Sequence, residues 1–202
     1  MIMKRPLFVS LPVGLLILNG CAQPPTIELN AAQRAIEDAR RTQTDKYAVA
    51  EFGSAQKALT EATAEINTQD KGFVLTRNYT KAKDLLKDAE AKAQAAQKIA
   101  KENKEKTKQE VEALIQDTTA SLEAATAALE IAPKGKTAQA NVAALKGDVD
   151  TLIMALDQGK ALAGNGEYLE AKASLTQTKQ RALDISAQIQ NVAEKGKAKK
   201  TS

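Results

Sequence analysis

The feature that most constrains the fold is the stretch of residues 74–132, which contains neither glycine nor proline. It is rich in Ala, Lys, Glu, Gln and Leu, all residues with high helix propensity. A single helix over the whole stretch would extend about 88 Å at 1.5 Å per residue. Nowhere does the chain show the sustained period-two alternation that a β-strand requires. The sequence therefore predicts an all-α protein organised around one long central helix, with no sheet.

The apolar residues of this stretch recur at alternating intervals of three and four, the pattern by which one helix packs against others. A first run comprises Ala82, Leu86, Ala89, Ala93, Ala96 and Ala100. A second run comprises Val111, Ile115, Thr118, Leu122, Ala125, Leu129 and Ala132. The almost wholly polar residues 101–109 lie between them. This interval is either a solvated part of a continuous helix or the place where the helix breaks.

Shorter helices are expected on both sides of the long one. Before it, periodicity predicts helices over roughly residues 28–44 and 46–67. After it, Pro133 and Gly135 and then Gly164-Asn165-Gly166 provide the turns that delimit two more helices. The chain is therefore expected to form an antiparallel bundle, or a set of hairpins, of about five helices.

Three helical segments share one spacing, in which an aromatic residue is followed by small and apolar residues. They begin at Phe52, Tyr79 and Tyr168. An aromatic ring near a helix start is suited to closing the end of a tightly packed helix pair, although any antiparallel bundle produces similar intervals. Residues 164–171 resemble, in a single copy, the turn and helix start of a tetratricopeptide repeat.

The amino-terminal segment has the organisation of a secretory signal peptide. Lys4 and Arg5 precede an apolar run over residues 7–18, which is followed by the small residue Gly20 and by Cys21. The run is too short to cross a bilayer as a helix, which needs about 20 apolar residues. Residues 1–20 are therefore expected to be removed on export.

The sequence Leu18-Asn19-Gly20-Cys21 resembles the lipobox of bacterial lipoproteins. The resemblance implies cleavage between Gly20 and Cys21 and attachment of lipid to Cys21, the only cysteine of the chain. Asn19 departs from the usual Ala or Ser, and an ordinary secreted protein with one free thiol is the alternative. Because Ala22 is not the Asp that retains lipoproteins at the inner membrane, the resemblance favours the outer membrane, facing the periplasm, or the cell surface of a single-membrane bacterium.

These boundaries divide the chain into five parts. They are a signal peptide over 1–20, a lipidated tether over 21–27, an Ala-rich helical domain over 28–132, a helical hairpin over 137–193 and a Lys-rich flexible tail over 194–202.

Residues 28–132 are also similar to an uncharacterised family of Ala-rich helical domains in bacterial outer-membrane lipoproteins. The features that carry the resemblance are Ala35-Ile36-x2-Ala39, Tyr47-Ala48, Phe52-x2-Ala55, Leu59-x2-Ala62 and Tyr79-x2-Ala82. The resemblance implies an α-helical protein of the cell envelope.

The composition argues against an enzyme and against a metal or cofactor site. The chain has no His, and lipidation of Cys21 would use its only thiol, which removes the commonest general base, metal ligand and sulfur nucleophile. It also has no nucleophile motif, phosphate-binding loop or dinucleotide fingerprint. The acidic pairs Asp84/Asp88 and Asp148/Asp150 are interpreted as solvated helix faces. A hydrolase or lyase would have to rely on Asp, Glu, Ser, Tyr and Lys residues outside any motif.

The charge argues against nucleic acid as a partner. The chain carries 29 basic and 25 acidic residues, an excess that falls to two without Lys4 and Arg5. An exported protein with so small an excess and few aromatic residues lacks a nucleic-acid surface. Lysines cluster only near the carboxyl end, where they either solubilise a frayed tail or contact anionic headgroups or glycan phosphates.

Two functions are compatible with the sequence. The first is a non-enzymatic, lipid-anchored envelope protein that serves as a helical scaffold. Its partners would be the membrane, through the lipid on Cys21, and either another envelope protein or a second copy of the chain. The second is a module that binds a peptide, a lipid or a small apolar ligand between its helices. Such a groove is expected to be lined by Tyr79, Leu86, Tyr168 and Leu175.

Overall fold

The computed structural model describes residues 22–132 and 136–198, with side chains for 22–132 and 140–191. The helices are α1 (Thr26–Arg41), α2 (Thr44–Tyr47), α3 (Val49–Lys71), α4 (Thr80–Glu130), α5 (Lys136–Gly164) and α6 (Tyr168–Ala198). A single 3-10 turn, Val74–Thr76, precedes α4. No strand occurs in these two segments, so the predicted all-α class is confirmed. Five of the helices are long, and the short α2 lies between α1 and α3.

The helices form two three-helix bundles that share α4. The N-terminal bundle consists of α1, α3 and the first half of α4, and the C-terminal bundle consists of the second half of α4 with α5 and α6. Lys172 of α6 pairs with Glu110 of α4, and Lys179 pairs with Asp117, both at 2.6 Å. The partners are seven residues apart on each helix, so α6 runs parallel to α4. The chain reverses direction between α4 and α5 and again between α5 and α6, so α5 runs antiparallel to both.

The two bundles have cores of different composition. The N-terminal core is built mainly from alanine, including Ala32, Ala39, Ala55, Ala58, Ala62, Ala82, Ala89 and Ala93. Because each alanine buries little area, and burial contributes about 25 cal/mol per Å², long helix interfaces are needed. The C-terminal core has larger side chains, among them Val111, Leu122, Leu145, Leu152, Leu156, Leu175, Ile185 and Ile189. Since α4 contributes to both cores, the expected domain boundary after residue 132 does not separate them.

The central helix is continuous. α4 has 51 residues and is about 76 Å long at 1.5 Å per residue. All residues of both predicted apolar runs are buried or partly buried, which confirms that α4 packs along its whole length. Residues 101–109 do not interrupt the helix, and within them Thr107 is buried and its Oγ1 donates to the Asn103 carbonyl at 2.8 Å.

The helix predicted over 46–67 spans Val49–Lys71 in the structure, and two further predicted helix boundaries are wrong. α4 begins at Thr80 instead of near residue 74, because the residues before it form the 3-10 turn and Asn78 Oδ1 accepts the backbone N–H of Thr80 at 2.9 Å. The helix predicted over 28–44 ends at Arg41, where the chain turns into α2. In both places the backbone finds hydrogen-bond partners that a propensity argument does not include.

The ends of the chain are described in part. Residues 1–21, with the predicted signal peptide, and residues 199–202 lie outside the described residues. α6 extends to Ala198 and so includes the first part of the expected flexible tail over 194–202, where Ala and Lys favour helix. None of the helices in the described segments combines the length and apolar content that a bilayer crossing requires.

Candidate functional site

The predicted cleavage and lipidation site, Gly20 and Cys21, lies outside the described residues. The described part of the tether leads into α1 at the end of the N-terminal bundle where α4 begins. At this end Glu28 Oε1 lies 3.5 Å from Lys83 Nζ. The pKa of Glu28 is lowered first by a hydrogen bond from the backbone and then by Lys83. A lipid on Cys21 would therefore be attached at this end of the molecule.

The structure does not bring the four predicted groove residues together. Tyr79 and Leu86 belong to the N-terminal core, whereas Leu175 belongs to the C-terminal core with Tyr168 at its edge. Tyr79, Leu86 and Leu175 are only 3%, 1% and 0% exposed, so they are packing residues. Tyr79 also fixes the α3–α4 connection, since its hydroxyl donates to the Asp70 carboxylate, and this hydrogen bond raises the pKa of Tyr79.

A densely bonded polar site lies at the centre of the molecule, and the sequence did not predict it. Residues 42–48, between α1 and α3, form a segment that we call the elbow. The elbow and the start of α6 both contact the middle of α4 there. We call this site the central junction. Its residues are Gln43, Lys46, Tyr47, Asn103, Lys104, Tyr168 and Glu170.

Two side chains of α4 hold the elbow in place. Asn103 Nδ2 donates to the Tyr47 carbonyl at 2.8 Å, and Lys104 Nζ donates to Gln43 Oε1 at 2.8 Å. Gln43 has a φ of 59°, a left-handed conformation that costs about 1–3 kcal/mol in a residue other than glycine. The hydrogen bond from Lys104, together with burial of the adjacent Thr44, offsets that cost.

Lys104 also links the two bundles through aromatic rings. Its Nζ lies 5.8 Å from the centroid of the Tyr47 ring and 6.0 Å from that of the Tyr168 ring. The ring quadrupoles attract an ammonium at such distances by about 0.5–1 kcal/mol when the site is exposed. One cation therefore contacts the elbow of the N-terminal bundle and the first residue of α6.

An ion pair crosses the central junction as well. Lys46 Nζ lies 3.1 Å from Glu170 Oε1, and this contact raises the pKa of Lys46. The pKa of Glu170 is lowered first by its own backbone N–H and then by Lys46. Burial, and next the charge of Glu170, raises the pKa of Tyr47, while the backbone N–H groups of Tyr168 and Leu169 oppose that rise. At neutral pH the phenol is neutral and the ion pair is charged.

The central junction is suited to fixing the bundles relative to each other. Its polar groups bond to one another across the two bundles. Across the described residues, no group of three or more Asp, Glu, His or Cys side chains is arranged to hold a metal ion. Two features of the sequence lie in this region, the polar run 101–109 and the helix start at Tyr168, but neither indicated their contact.

The described surface also has an open hollow between α4 and α5. Its volume is about 390 Å³, and its apolar lining includes Leu122, Ile153 and Leu156. This volume is within the range of small-ligand sites, although such sites usually enclose most of the ligand.

In comparisons with known proteins, no family model, no curated protein and no solved structure matches this chain.

Proposed function

We propose that the protein is a non-enzymatic, lipid-anchored protein of the bacterial cell envelope that acts as a rigid helical spacer. One end is held at the membrane, and the other is presented to a partner, either another envelope protein or a second copy of the chain. The sequence Leu18-Asn19-Gly20-Cys21 supports the anchor. With Ala22 it favours the outer membrane, facing the periplasm, or the cell surface of a single-membrane bacterium.

The observation that carries the spacer role is the continuity of α4 through both bundles. A helix that packs on neighbours along its whole length resists bending more than two domains joined by a linker do. The central junction adds contacts from both bundles at the midpoint of α4. Because α4 is about 76 Å long, a lipid at the start of α1 would hold Ile131, at the other end, at about that distance from the membrane.

The anchor is tested by Cys21→Ser, expressed behind an ordinary secretory signal peptide so that cleavage does not depend on the thiol. We expect the variant to keep its helical circular dichroism, since the described cores do not involve Cys21, and to leave the membrane fraction. The wild-type chain with its own signal peptide is the control, and mass spectrometry of its N-terminal peptide measures the lipid. A membrane-bound variant, or an unmodified Cys21 in the wild type, would contradict the proposal.

The scaffold role requires a partner at the end away from the anchor. A photo-crosslinking amino acid at Ile131, which is 85% exposed just beyond the end of α4, would capture a partner at that end in intact cells. The same amino acid at Lys57 of α3, in the N-terminal bundle, is the control. Absence of any crosslinked envelope protein or dimer from Ile131 would remove the support for a scaffold.

A second candidate function, binding of a small apolar ligand, is favoured by the hollow between α4 and α5. It does not involve the expected groove, since three of those four residues lie in the cores. Native mass spectrometry of protein purified from membranes distinguishes the two functions, because a binding module would retain a ligand and a spacer would not.

A further inference from the structure

We propose that Phe73, Val74 and Leu75 insert into the interfacial region of the lipid bilayer and orient the molecule on the membrane. We call these three residues the apolar tip. They lie in the α3–α4 connection, at the end of the N-terminal bundle where α1 begins. The inference rests on the proposed anchor at Cys21 and adds a second membrane contact, made by the folded protein itself.

The apolar tip is exposed to an extent that the fold does not require. Phe73, Val74 and Leu75 are 68%, 42% and 74% exposed. Isolated exposed apolar residues are common in soluble proteins, but three consecutive ones at the end of an elongated molecule form the kind of patch that marks a contact surface. Ile27, in the first turn of α1, is also exposed at this end.

The connection that carries the apolar tip is ordered. Arg77 donates from Nη2 to the Asp70 carbonyl at 2.6 Å and from Nε to the Gly72 carbonyl at 3.1 Å. Thr76 donates from both its backbone N–H and its Oγ1 to the Phe73 carbonyl, each at 2.9 Å. Because these bonds already fix the backbone, insertion would require little further ordering, which favours binding.

The tether places the apolar tip beside the membrane. Pro25 is buried, so only a short length of chain separates Cys21 from the packed part of the protein. Cys21 lies only five residues before Thr26, a reach of about 18 Å at full extension. The contact between Glu28 and Lys83 keeps the start of α1 next to the start of α4. An anchored lipid would therefore hold the apolar tip at high effective concentration at the bilayer, where even a weak affinity suffices.

The charges around the apolar tip favour lipid over a second copy of the chain. Residues 70–79 carry two cations, Lys71 and Arg77, and one carboxylate, Asp70, which accepts the hydrogen bond of Tyr79. Cations beside an inserted apolar segment are attracted by anionic headgroups. Two copies that met through their tips would instead bring like charges together.

The chain has no Trp, so Phe73→Trp creates a single fluorescent reporter in the tip. Protein purified from membranes is reconstituted into phosphatidylethanolamine–phosphatidylglycerol vesicles, with and without brominated acyl chains. We expect the Trp emission to shift to shorter wavelength and to lose intensity with brominated lipid. Ile131→Trp is the matched control, because Ile131 is 85% exposed at the opposite end of α4. Its emission is expected neither to shift nor to lose intensity with brominated lipid. Leu75→Trp repeats the measurement with a second reporter if Phe73→Trp perturbs the loop.

The outcomes separate this inference from the proposed anchor, because mass spectrometry of the same sample reports the lipid on Cys21. A lipidated protein whose tip reporters are not quenched overturns the inference and leaves the anchor intact. If Cys21 is unmodified, the anchor fails, and coupling its thiol to a maleimide lipid tests the tip separately, with quenching as the supporting result. Emission that depends on the protein-to-lipid ratio without bromine quenching would indicate that the tip binds a second copy, which also overturns the inference.

Discussion

Two glycines of α5 show how residues with the same intrinsic propensity differ in the folded protein. Each weakens a helix by about 1 kcal/mol relative to alanine. At Gly147 nothing beyond the adjacent residues and the backbone of its own helix lies within 4 Å of the position that a Cβ would take. At Gly159 that position is 2.6 Å from Leu175 Cδ2 and 2.7 Å from Leu175 Cγ. Because Leu175 is fully buried, it has little room to move. Gly159 therefore permits the close approach of α5 and α6.

We predict opposite effects for the two alanine substitutions. Gly147→Ala is expected to stabilise the protein by about 1 kcal/mol, since it gains only helix propensity. Gly159→Ala is expected to destabilise it by about 1–2 kcal/mol, because overpacking a core costs about 1–3 kcal/mol and exceeds the gain in propensity. The free energy of unfolding, measured in urea, checks both. A stabilising Gly159→Ala would mean that Leu175 can move away at low cost.

At the scale of helices, the sequence predicts the features that depend on residues close together in the chain. The five long helices and the buried face of α4 follow from apolar spacing, because a period near 3.6 decides which residues face a core. The boundaries near residues 42–48 and 72–79 do not follow, since they depend on particular side-chain bonds. Gln43 adopts its left-handed conformation next to Lys104, 61 residues away, and Arg77 bonds to carbonyls of the preceding loop.

The central junction escaped prediction for the same reason. Lys46 and Glu170 are 124 residues apart. From the sequence, each is expected to be an ordinary exposed charged residue on a helix. The groove prediction failed because the spacing shows only that Tyr79, Leu86 and Leu175 lie on the packed face of a helix. It does not distinguish a core from a binding surface.

Glutamates with lowered pKa values give the protein a pH dependence. The largest cause is a backbone hydrogen bond at Glu28 and Glu170, and the hydrogen bond from the lysine partner at Glu65 and Glu110. Four such glutamates occur among the residues whose side chains are described, and each pairs with a lysine of another helix. The pairs are Glu28–Lys83, Glu65–Lys81, Glu110–Lys172 and Lys46–Glu170. A carboxylate whose pKa is lower in the folded state stabilises that state fully above its ordinary pKa of 4.5. The contribution is lost as the pH falls through the lowered folded-state value.

We predict that stability falls as the pH drops through and below the ordinary glutamate pKa of 4.5 and that this fall depends on the four glutamates. The variant in which all four glutamates are replaced by glutamine is expected to be slightly less stable at neutral pH, because it lacks the pairs, and to lose less stability on acidification. Urea midpoints across the pH range compare it with the wild type. The difference should shrink in high salt, since the pairs are largely exposed and screened. Equal acid sensitivity of the two proteins would show that other carboxylates dominate.

At the scale of the whole molecule, one helix and one junction unite two cores that are otherwise separate. Within the described part of the chain, the α1–α3 side and the α5–α6 side meet at the middle of α4, through the elbow and the start of α6. Bending there would change the distance between the ends without unfolding either bundle. The distance spanned by α4 is therefore the property that a spacer must keep constant, and it can be perturbed separately from stability.

We predict that Glu105→Pro shortens the mean distance between the ends of α4 and broadens its distribution, while both bundles stay folded. Glu105 is exposed in the middle of α4, and proline there removes one backbone hydrogen bond and clashes with the preceding turn, at a cost of about 3 kcal/mol. Spin labels on Thr80→Cys and Glu130→Cys, in a Cys21→Ser background, are about 75 Å apart at 1.5 Å per residue. Double electron–electron resonance is expected to give a narrow distribution near that value for the parent and a shorter, broader one for Glu105→Pro.

Glu105→Ala is the matched control, because it removes the same side chain and keeps the helix, so it should behave as the parent does. Circular dichroism should show nearly the same helix content in all three proteins. A narrow distribution in Glu105→Pro would mean that the central junction alone keeps the bundles aligned. A broad distribution in the parent would contradict the spacer itself, since no partner could then be held at a defined distance from the membrane.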